Sequence, residues 1–367
     1  MTAARAWRRA RASAPAVLAW CVLTVATVSP AFAQPPEPPA ADAPADPALS
    51  LLVRAFGSVD WGATEKPDTP NSFALGQFDL FVTGAINDRV SVLAEIVLEA
   101  SGANTSVVTD LERLQVTFNL DDALQLSAGR YHTGIGFYNT AFHHGSYFET
   151  PIGRPRVFAF EDEGGVLPVH DVGLSARGTV PHTGSALHYL AEVGNGRSWI
   201  EDESAEGHDQ NGAKSTNVGV SLRPDRWRGL EIGASFYRDE ILDSDGSDVR
   251  LRIPAVYAVF RTAATEVMAE WLRLSYRDAT GSTEHSDGGY VQASRAWGKS
   301  RLYYRFDRLA IDPRSPFIGG IESSRTHIFG VRVDPAMWIG LKAQYERSDD
   351  GELRGIDTLR TQLVFVF

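Results

Sequence analysis

The 367-residue chain predicts an all-β fold, a transmembrane antiparallel up-and-down β-barrel of about 16 strands, with 14 and 18 as the neighbouring counts. Three observations predict it. Candidate strands of membrane-crossing length recur along the sequence with turn residues between them. Their connections alternate, one tight and the next longer and rich in Gly, Asp, Glu and Ser. The last seven residues, Thr361 to Phe367, alternate in chemistry and finish on a phenylalanine, the form of a barrel-closing strand that insertion machinery reads.

Residues 1–33 read as a secretory signal peptide. Arg5, Arg8, Arg9 and Arg11 form a positive start, Val17 to Val28 is a short apolar run, and Ala31-Phe32-Ala33 is a small-x-small cleavage site. The apolar run falls short of the roughly 20 residues that a membrane helix needs. Residues 34–49, opening Pro35-Pro36-Glu37-Pro38-Pro39, read as an extended periplasmic linker. Residues 50–367 form one barrel domain.

The strands follow in order. Leu51–Asp60 is the first, then Phe73–Ala85, the turn Asn87-Asp88 and Val90–Ala100. In the last of these, Val90, Val92, Ala94, Ile96 and Leu98 make one apolar face, opposed by Ser91, Glu95 and Glu99. A barrel in lipid turns that apolar face outward. Leu111–Leu120 turns at Asp121-Asp122 into Ala123–Thr133. After a long segment come Val169–Val180, a Pro181 to Gly184 turn and Ser185–Asn195. Ser215–Leu222, Leu230–Glu240, Arg250–Phe260, Thr265–Tyr276 and Gly289–Trp297 continue the series. Gly298-Lys299 turns into Ser300–Ala310, and Thr326–Asp334, Met337–Arg347 and Ile356–Phe367 complete it. Counted from a periplasmic N-terminus, the tight turns fall on the periplasmic side. Aromatics near strand ends (Trp61, Phe73, Trp199, Trp227, Phe236, Tyr237, Trp297, Trp338 and Phe367) suit interfacial girdles.

Cys21, the one cysteine, lies in the signal, so thiol catalysis, disulfides and cysteine metal sites are excluded from the mature chain. The formal charge of −11 becomes −15 without the four signal arginines, which argues against nucleic-acid binding. The acidic stretches Glu201-Asp202-Glu203 and Asp243 to Asp248 read as soluble loops without EF-hand spacing.

The longest connection, about Gly134 to Pro168, is the third loop on the long-loop side. Its aromatics (Phe137, Tyr138, Phe142, Tyr147, Phe148, Phe158 and Phe160) need a surface to pack on, which argues for an ordered, functional loop. Lumen faces assign acids to the early strands (Asp79, Glu95, Glu99, Asp171, Glu192). Bases fall on the later ones: Arg250, Arg252, Arg301, Arg305, Arg332, Lys342 and Arg360. Arg130 at its entry, Glu149, Arg154, Arg156, Glu161, Asp162 and Glu163 on the loop, and Arg301, Arg305, Arg332 and Lys342 on the wall mark the expected pore constriction, with the loop acids facing the basic wall. Opposed charges there set a transverse field and an ion preference. Phe367 and Phe365 carry the expected assembly signal.

Gly129-Arg130-Tyr131-His132, His143-His144-Gly145 and Glu161-Asp162-Glu163-Gly164-Gly165 through Val169-His170 resemble the third-loop region of porin-like outer-membrane proteins. With its signal and terminal Phe, the chain resembles the porin superfamily, and within it the phosphate-selective-type branch. The resemblance implies a loop folded into the lumen and assembly as a homotrimer. The expected function is therefore passive diffusion of small hydrophilic or anionic solutes across the outer membrane. Expected partners are outer-membrane lipids, lipopolysaccharide and the barrel-assembly machinery. A non-conducting structural or adhesive barrel is the alternative, and a barrel lipid hydrolase comes third. No Gly-x-Ser-x-Gly or phosphate-cradling loop is present, so no enzymatic activity and no cofactor are expected. No metal site is assigned either. His132, His143, His144 and His170 are read as hydrogen-bonded loop histidines, since the neighbours His143 and His144 point apart on extended backbone.

Overall fold

The computed structural model describes residues 50–100, 107–142, 145–161, 163–197, 209, 211–242, 246–313, 315, 318 and 320–367. The expected signal peptide and linker lie outside these residues. So do His143, His144, Asp162, Trp199, the acidic stretch 201–203 and residues 243–245. Among the described residues, sixteen strands pair with their sequence neighbours into one closed antiparallel barrel. They are β1 (Ser50–Thr64), β2 (Ser72–Ala85), β3 (Val90–Ala100), β4 (Val107–Asp121), β5 (Leu124–His132) and β6 (His170–His182). Next come β7 (Ser185–Gly194), β8 (Ser215–Pro224), β9 (Leu230–Leu242), β10 (Asp248–Arg261) and β11 (Thr265–Arg277). The last are β12 (Thr283–Trp297), β13 (Ser300–Ala310), β14 (Ser324–Ala336), β15 (Ile339–Asp350) and β16 (Leu353–Val366).

Closure leaves no open sheet edge, which is what lets strands sit in hydrocarbon with every backbone group paired. β1 meets β16 in register from Phe56↔Val366 to Thr64↔Thr358. The Phe367 amide donates to the Ala55 carbonyl at 3.0 Å, and the Ala55 amide donates back to the Phe367 carbonyl at 2.8 Å. Period-two alternation then sorts the side chains. Leu114, Leu174, Val218, Val220, Val256, Leu302 and Phe329 stand outward and exposed. An apolar belt of this extent is a liability in water and suits contact with lipid. Trp227, Trp297, Trp338 and Phe367 are exposed at the end of the barrel that carries the short turns.

Three expectations need correction. The alternation of tight and long connections is incomplete. β15 and β16 are joined through Gly351 and Glu352 alone, with Asp350 opposite Leu353 and Gly351 at φ 56°. On the other side, the turn before β9 holds a short 3-10 helix, Asp225–Trp227. Tyr237 is not a girdle residue: it is 1% exposed and its hydroxyl donates to Asp239 at 2.9 Å inside the barrel. Arg250 and Arg252 are not lumen bases. Val249, Leu251 and Ile253 take the inward positions of β10 and are fully buried, while Arg250 faces outward and meets Glu240 at 3.2 Å.

The physical reason lies in what fills the barrel. The buried apolar cluster is inside it, built from the inner faces of β9 to β13 and from the third loop. Wall residues such as Val249, Leu251, Met268, Leu272 and Leu274 seat Phe137, Phe142, Val157, Phe158 and Phe160 of the loop. Burial of a large apolar side chain is worth about 1.5–3 kcal/mol, so an arginine face turned inward there would forfeit the seat.

Candidate functional site

The third loop leaves the wall at Thr133 and returns at Val169, between neighbouring strands β5 and β6. The Thr133 amide donates to the Val169 carbonyl at 2.9 Å, and its hydroxyl donates to the Pro168 carbonyl at 2.6 Å. Asn139 pins the root from within, its amide donating to the carbonyls of Thr133 (2.8 Å) and Val169 (3.2 Å). The first leg crosses to β11. Gly136, at φ 71°, makes the bend, and a Cβ there would lie 2.4 Å from a Glu270 carboxylate oxygen. Beyond it, the amides of Phe137 (2.6 Å) and Tyr138 (2.8 Å) both donate to Glu270, as does the Tyr290 hydroxyl (2.6 Å). This carboxylate stands at the start of the one-turn helix α1 (Tyr138–Ala141), where free amides favour an anionic acceptor.

The middle of the loop runs along β13, β14 and β15, and here the predicted basic strip materialises in register. Arg301 lies opposite Arg332, and Arg332 opposite Lys342. Three of the bases hold the loop's backbone instead of lining water. Arg332 donates to the carbonyls of Tyr147 (2.6 Å) and Glu149 (2.9 Å). Lys342 donates to Ser146 (2.6 Å) and Pro151 (3.1 Å), and Arg305 donates to Gly153 (2.8 Å) and Arg154 (3.1 Å). All three are nearly inaccessible. Gln344 completes the row, taking the Ile152 amide and giving to the Ile152 carbonyl. Arg301, only half-buried, donates to Ser294 at 2.9 Å.

Beyond these anchors the loop forms a 3-10 turn, Arg156–Phe158, under which Gly288 of β12 leaves the needed space. A Cβ at Gly288 would lie 2.2 Å from Val157. Arg154 works inside the loop: it donates to the carbonyls of Phe158 (2.6 Å) and Phe142 (3.1 Å) and lies over the Phe160 ring at 4.1 Å. Arg156, half-buried, donates to the Glu163 carbonyl, and Arg130 donates to the Glu112 carbonyl. Of the loop acids, Glu149 is buried and receives the Tyr138 hydroxyl at 3.0 Å. Glu161 receives the amides of Val169 and His170. Burial alone would raise the Glu161 carboxyl, but the adjoining His170 and the backbone donors bring it below the usual range. Glu163 is raised, by desolvation within the lumen and by the charges of Glu149 and Glu99, against the pull of Arg154. The loop acids and wall bases therefore do not face each other as two lines: Glu149 shares the basic side, and Glu161 sits at the loop's root.

A separate arc of the wall, β2 to β4, is acidic. Asp79 on β2 lies in the field of Glu95, Glu112, Glu99 and Glu149. It is 1% exposed, and its Oδ1 makes no hydrogen bond among the described residues. Arg113 is the cation of this wall, bound to Glu95 at 2.5 Å and lying over Phe81. A β-bulge opposite Glu95 and Ile96 breaks the alternation of β4, so Glu112 and Arg113, adjacent in sequence, are both buried inward. Sequence reasoning missed Glu112 and Glu270. A bulge cancels the parity by which an inward residue is recognised, and a lone acid in β11 carries no mark of the loop it holds. At the turn end lies a cavity of about 550 Å³, lined among others by Phe137, Arg223, Glu231 and Arg261.

No protein-family model matches the chain, and no curated protein matches it. Solved structures do match in fold. The anion-selective porin from Comamonas acidovorans is 10% identical over 87% of this chain and 100% of that one, with a TM-score of 0.60. The outer membrane channel DcaP of Acinetobacter baumannii is 11% identical over 88% and 99%, with a TM-score of 0.58. A trimer form of OmpT, an outer membrane protein of Vibrio cholerae, is 12% identical over 87% and 100%, with a TM-score of 0.57. The chain thus has the closed 16-strand barrel fold of these outer-membrane proteins.

Proposed function

We propose that the chain is a passive outer-membrane channel for small hydrophilic solutes, narrowed by its third loop and favouring cations. The observation that carries this is the charge balance of the narrowed lumen. Arg305, Arg332 and Lys342 are committed to loop carbonyls. The carboxylates of Asp79, Glu95, Glu99 and Glu112 gather on another arc of the wall, β2 to β4, with Arg113 against them. In a narrow pore every permeant ion passes within the roughly 8 Å screening length of physiological salt, so this imbalance acts on each one. The expectation of anionic solutes rested on the basic strip. With the strip holding the loop, an anion, phosphate included, has little exposed base to meet there.

The non-conducting barrel keeps one observation in its favour. Around the loop, inward side chains are buried on every side, from Asp79 and Glu95 through Asn217 and Glu270 to Arg305 and Lys342. Planar-bilayer recording separates the two readings. Small unitary steps, with a reversal potential on the cation side of a KCl gradient, are expected. Asp79→Asn with Glu99→Gln is expected to move that potential toward chloride at a similar unit conductance. Absence of steps would establish the non-conducting barrel, and an unmoved potential would detach selectivity from this wall. Enzymatic chemistry at the outer rim finds no support in His132 and His170, which lie buried at the loop's root.

The proposal includes a periplasmic turn end and a homotrimer, the latter on the fold likeness to a trimeric structure. It also includes Phe367 and Phe365 as the assembly signal. Phe367 is exposed beside Phe365, ring centroids 6.3 Å apart, so Phe367→Ala removes little packing, a few kcal/mol at most by the scale of apolar burial. Reduced insertion with periplasmic accumulation is expected. Normal outer-membrane levels of the variant would remove Phe367 from the signal.

A further inference from the structure

We propose that Glu112, His132 and His170 form a binding site for one divalent transition-metal ion of the zinc class, at the root of the third loop. This does not depend on the channel reading. His132, the last residue of β5 before the loop, and His170, the first residue of β6 after it, face each other directly in the ladder. Their rings meet edge to face, centroids 4.7 Å apart. The β4 bulge brings Glu112 to them, its carboxylate 2.7 Å from His170 Nε2. One donor atom from each of the three residues lies within 4.8 Å of the others. A tetrahedral zinc shell with bonds of about 2.0–2.2 Å needs donors about 3.3–3.6 Å apart, so the three close on an ion by side-chain adjustment of about an ångström.

Two imidazoles and a carboxylate are a recurring zinc set that leaves a fourth position for water. What raises this cluster above a chance meeting of polar groups is the second layer around it. A metal-bound histidine generally gives its other ring nitrogen to a carboxylate or a backbone carbonyl, which fixes the ring. Both partners are in place. His132 Nδ1 lies 3.1 Å from the Asn139 carbonyl. His170 Nδ1 lies 3.3 Å from Glu161 Oε2. Each supporting group is itself held. Asn139 is bound to Thr133, Val169 and Arg154, and Glu161 to the amides of Val169 and His170. Phe160 covers the site, its ring parallel to His170 with centroids 5.9 Å apart. The ligands stand on wall strands, so an ion here ties β4 to the two ends of the loop.

The competing account of the same atoms is a buried ion triad, with His170 bridging Glu112 and Glu161 and no metal. Equilibrium dialysis of the barrel, folded in detergent, stripped with chelator and free of any polyhistidine tag, decides between them. Zinc alone is the probe, and cobalt reports coordination through its visible spectrum. The folded wild-type barrel is expected to retain one zinc per chain, with intense tetrahedral cobalt bands. His132→Gln and His170→Gln are expected to abolish retention. Glu161→Gln, which leaves the three ligands intact, is expected to weaken zinc by about 10–100-fold. His143→Ala with His144→Ala is expected to leave it unchanged. Folding of each variant is read independently from its heat-modifiable mobility on gels. No stoichiometric zinc on the folded wild type, equal retention in His132→Gln and His170→Gln, or binding that follows His143 and His144 would each overturn the site.

Discussion

Replacing Arg332 and Lys342 together by methionine is expected to release the middle of the third loop from the wall while the barrel stays folded. The two side chains make four hydrogen bonds to the carbonyls of Tyr147, Glu149, Ser146 and Pro151. Charge-assisted bonds of this kind contribute about 1.5–3 kcal/mol each. The loss is local, since sixteen paired strands do not depend on these contacts and local opening draws on the least connected segment. Methionine keeps much of the apolar stem, so the change falls mainly on the donors. In bilayers the variant is expected to show larger and noisier unitary currents. In solution, protease is expected to cut within residues 145–154, which the wild type protects. Equal protection and unchanged current would mean that the apolar seat alone holds the loop.

That division of labour explains how much of the site was legible beforehand. The wall was, because a two-residue period with lipid on one side leaves its mark in sequences such as Val90 to Glu99. The basic strip was also legible as a row, since Arg301, Arg332 and Lys342 fall on shared faces of successive strands. Its task was not. The acceptors are loop carbonyls, which every residue carries and which have no sequence signature. Nor was the face of β10 decided by its own pattern, because Val249, Leu251 and Ile253 alternate with Arg250 and Arg252 equally well in either orientation. The aromatics of the loop settle it, and they lie about a hundred residues away. His132 and His170 could be placed near one loop, but their apposition depends on β5 and β6 being ladder neighbours. Glu112 joins them only through a bulge that interrupts the alternation of β4.

The two halves of the loop are fastened by different physics, and this fixes what each substitution can disturb. The first leg and the 3-10 turn bury Phe137, Tyr138, Val157 and Phe158 in an apolar seat, while the middle contributes mostly backbone to cationic side chains. An apolar seat tolerates sliding, because dispersion and hydrophobic burial have little direction. Hydrogen-bonded anchors do not. The point where both meet is Glu270, whose carboxylate fixes the register of an otherwise greasy contact.

Glu270→Leu is accordingly expected to undock the first leg of the loop and to cost more than any single cation of the strip. The carboxylate receives the amides of Phe137 and Tyr138 and the hydroxyl of Tyr290, all within 2.8 Å and all buried. A buried donor left without an acceptor costs about 1–3 kcal/mol, so three together amount to about 3–9 kcal/mol before relaxation. Leucine cannot receive any of them, and its burial recovers only about 1.5–3 kcal/mol. The cheaper outcome is for residues 136–142 to leave the wall and take their donors to water. Glu270→Gln should fall between the two, because its amide oxygen still accepts while its NH₂ opposes one of the incoming amides. Hydrogen exchange reads the difference directly: in Glu270→Leu, fast exchange at Phe137 and Tyr138 with the β11 and β12 ladders still protected. Unchanged protection at both amides would show that the apolar seat sets the loop's register without the carboxylate.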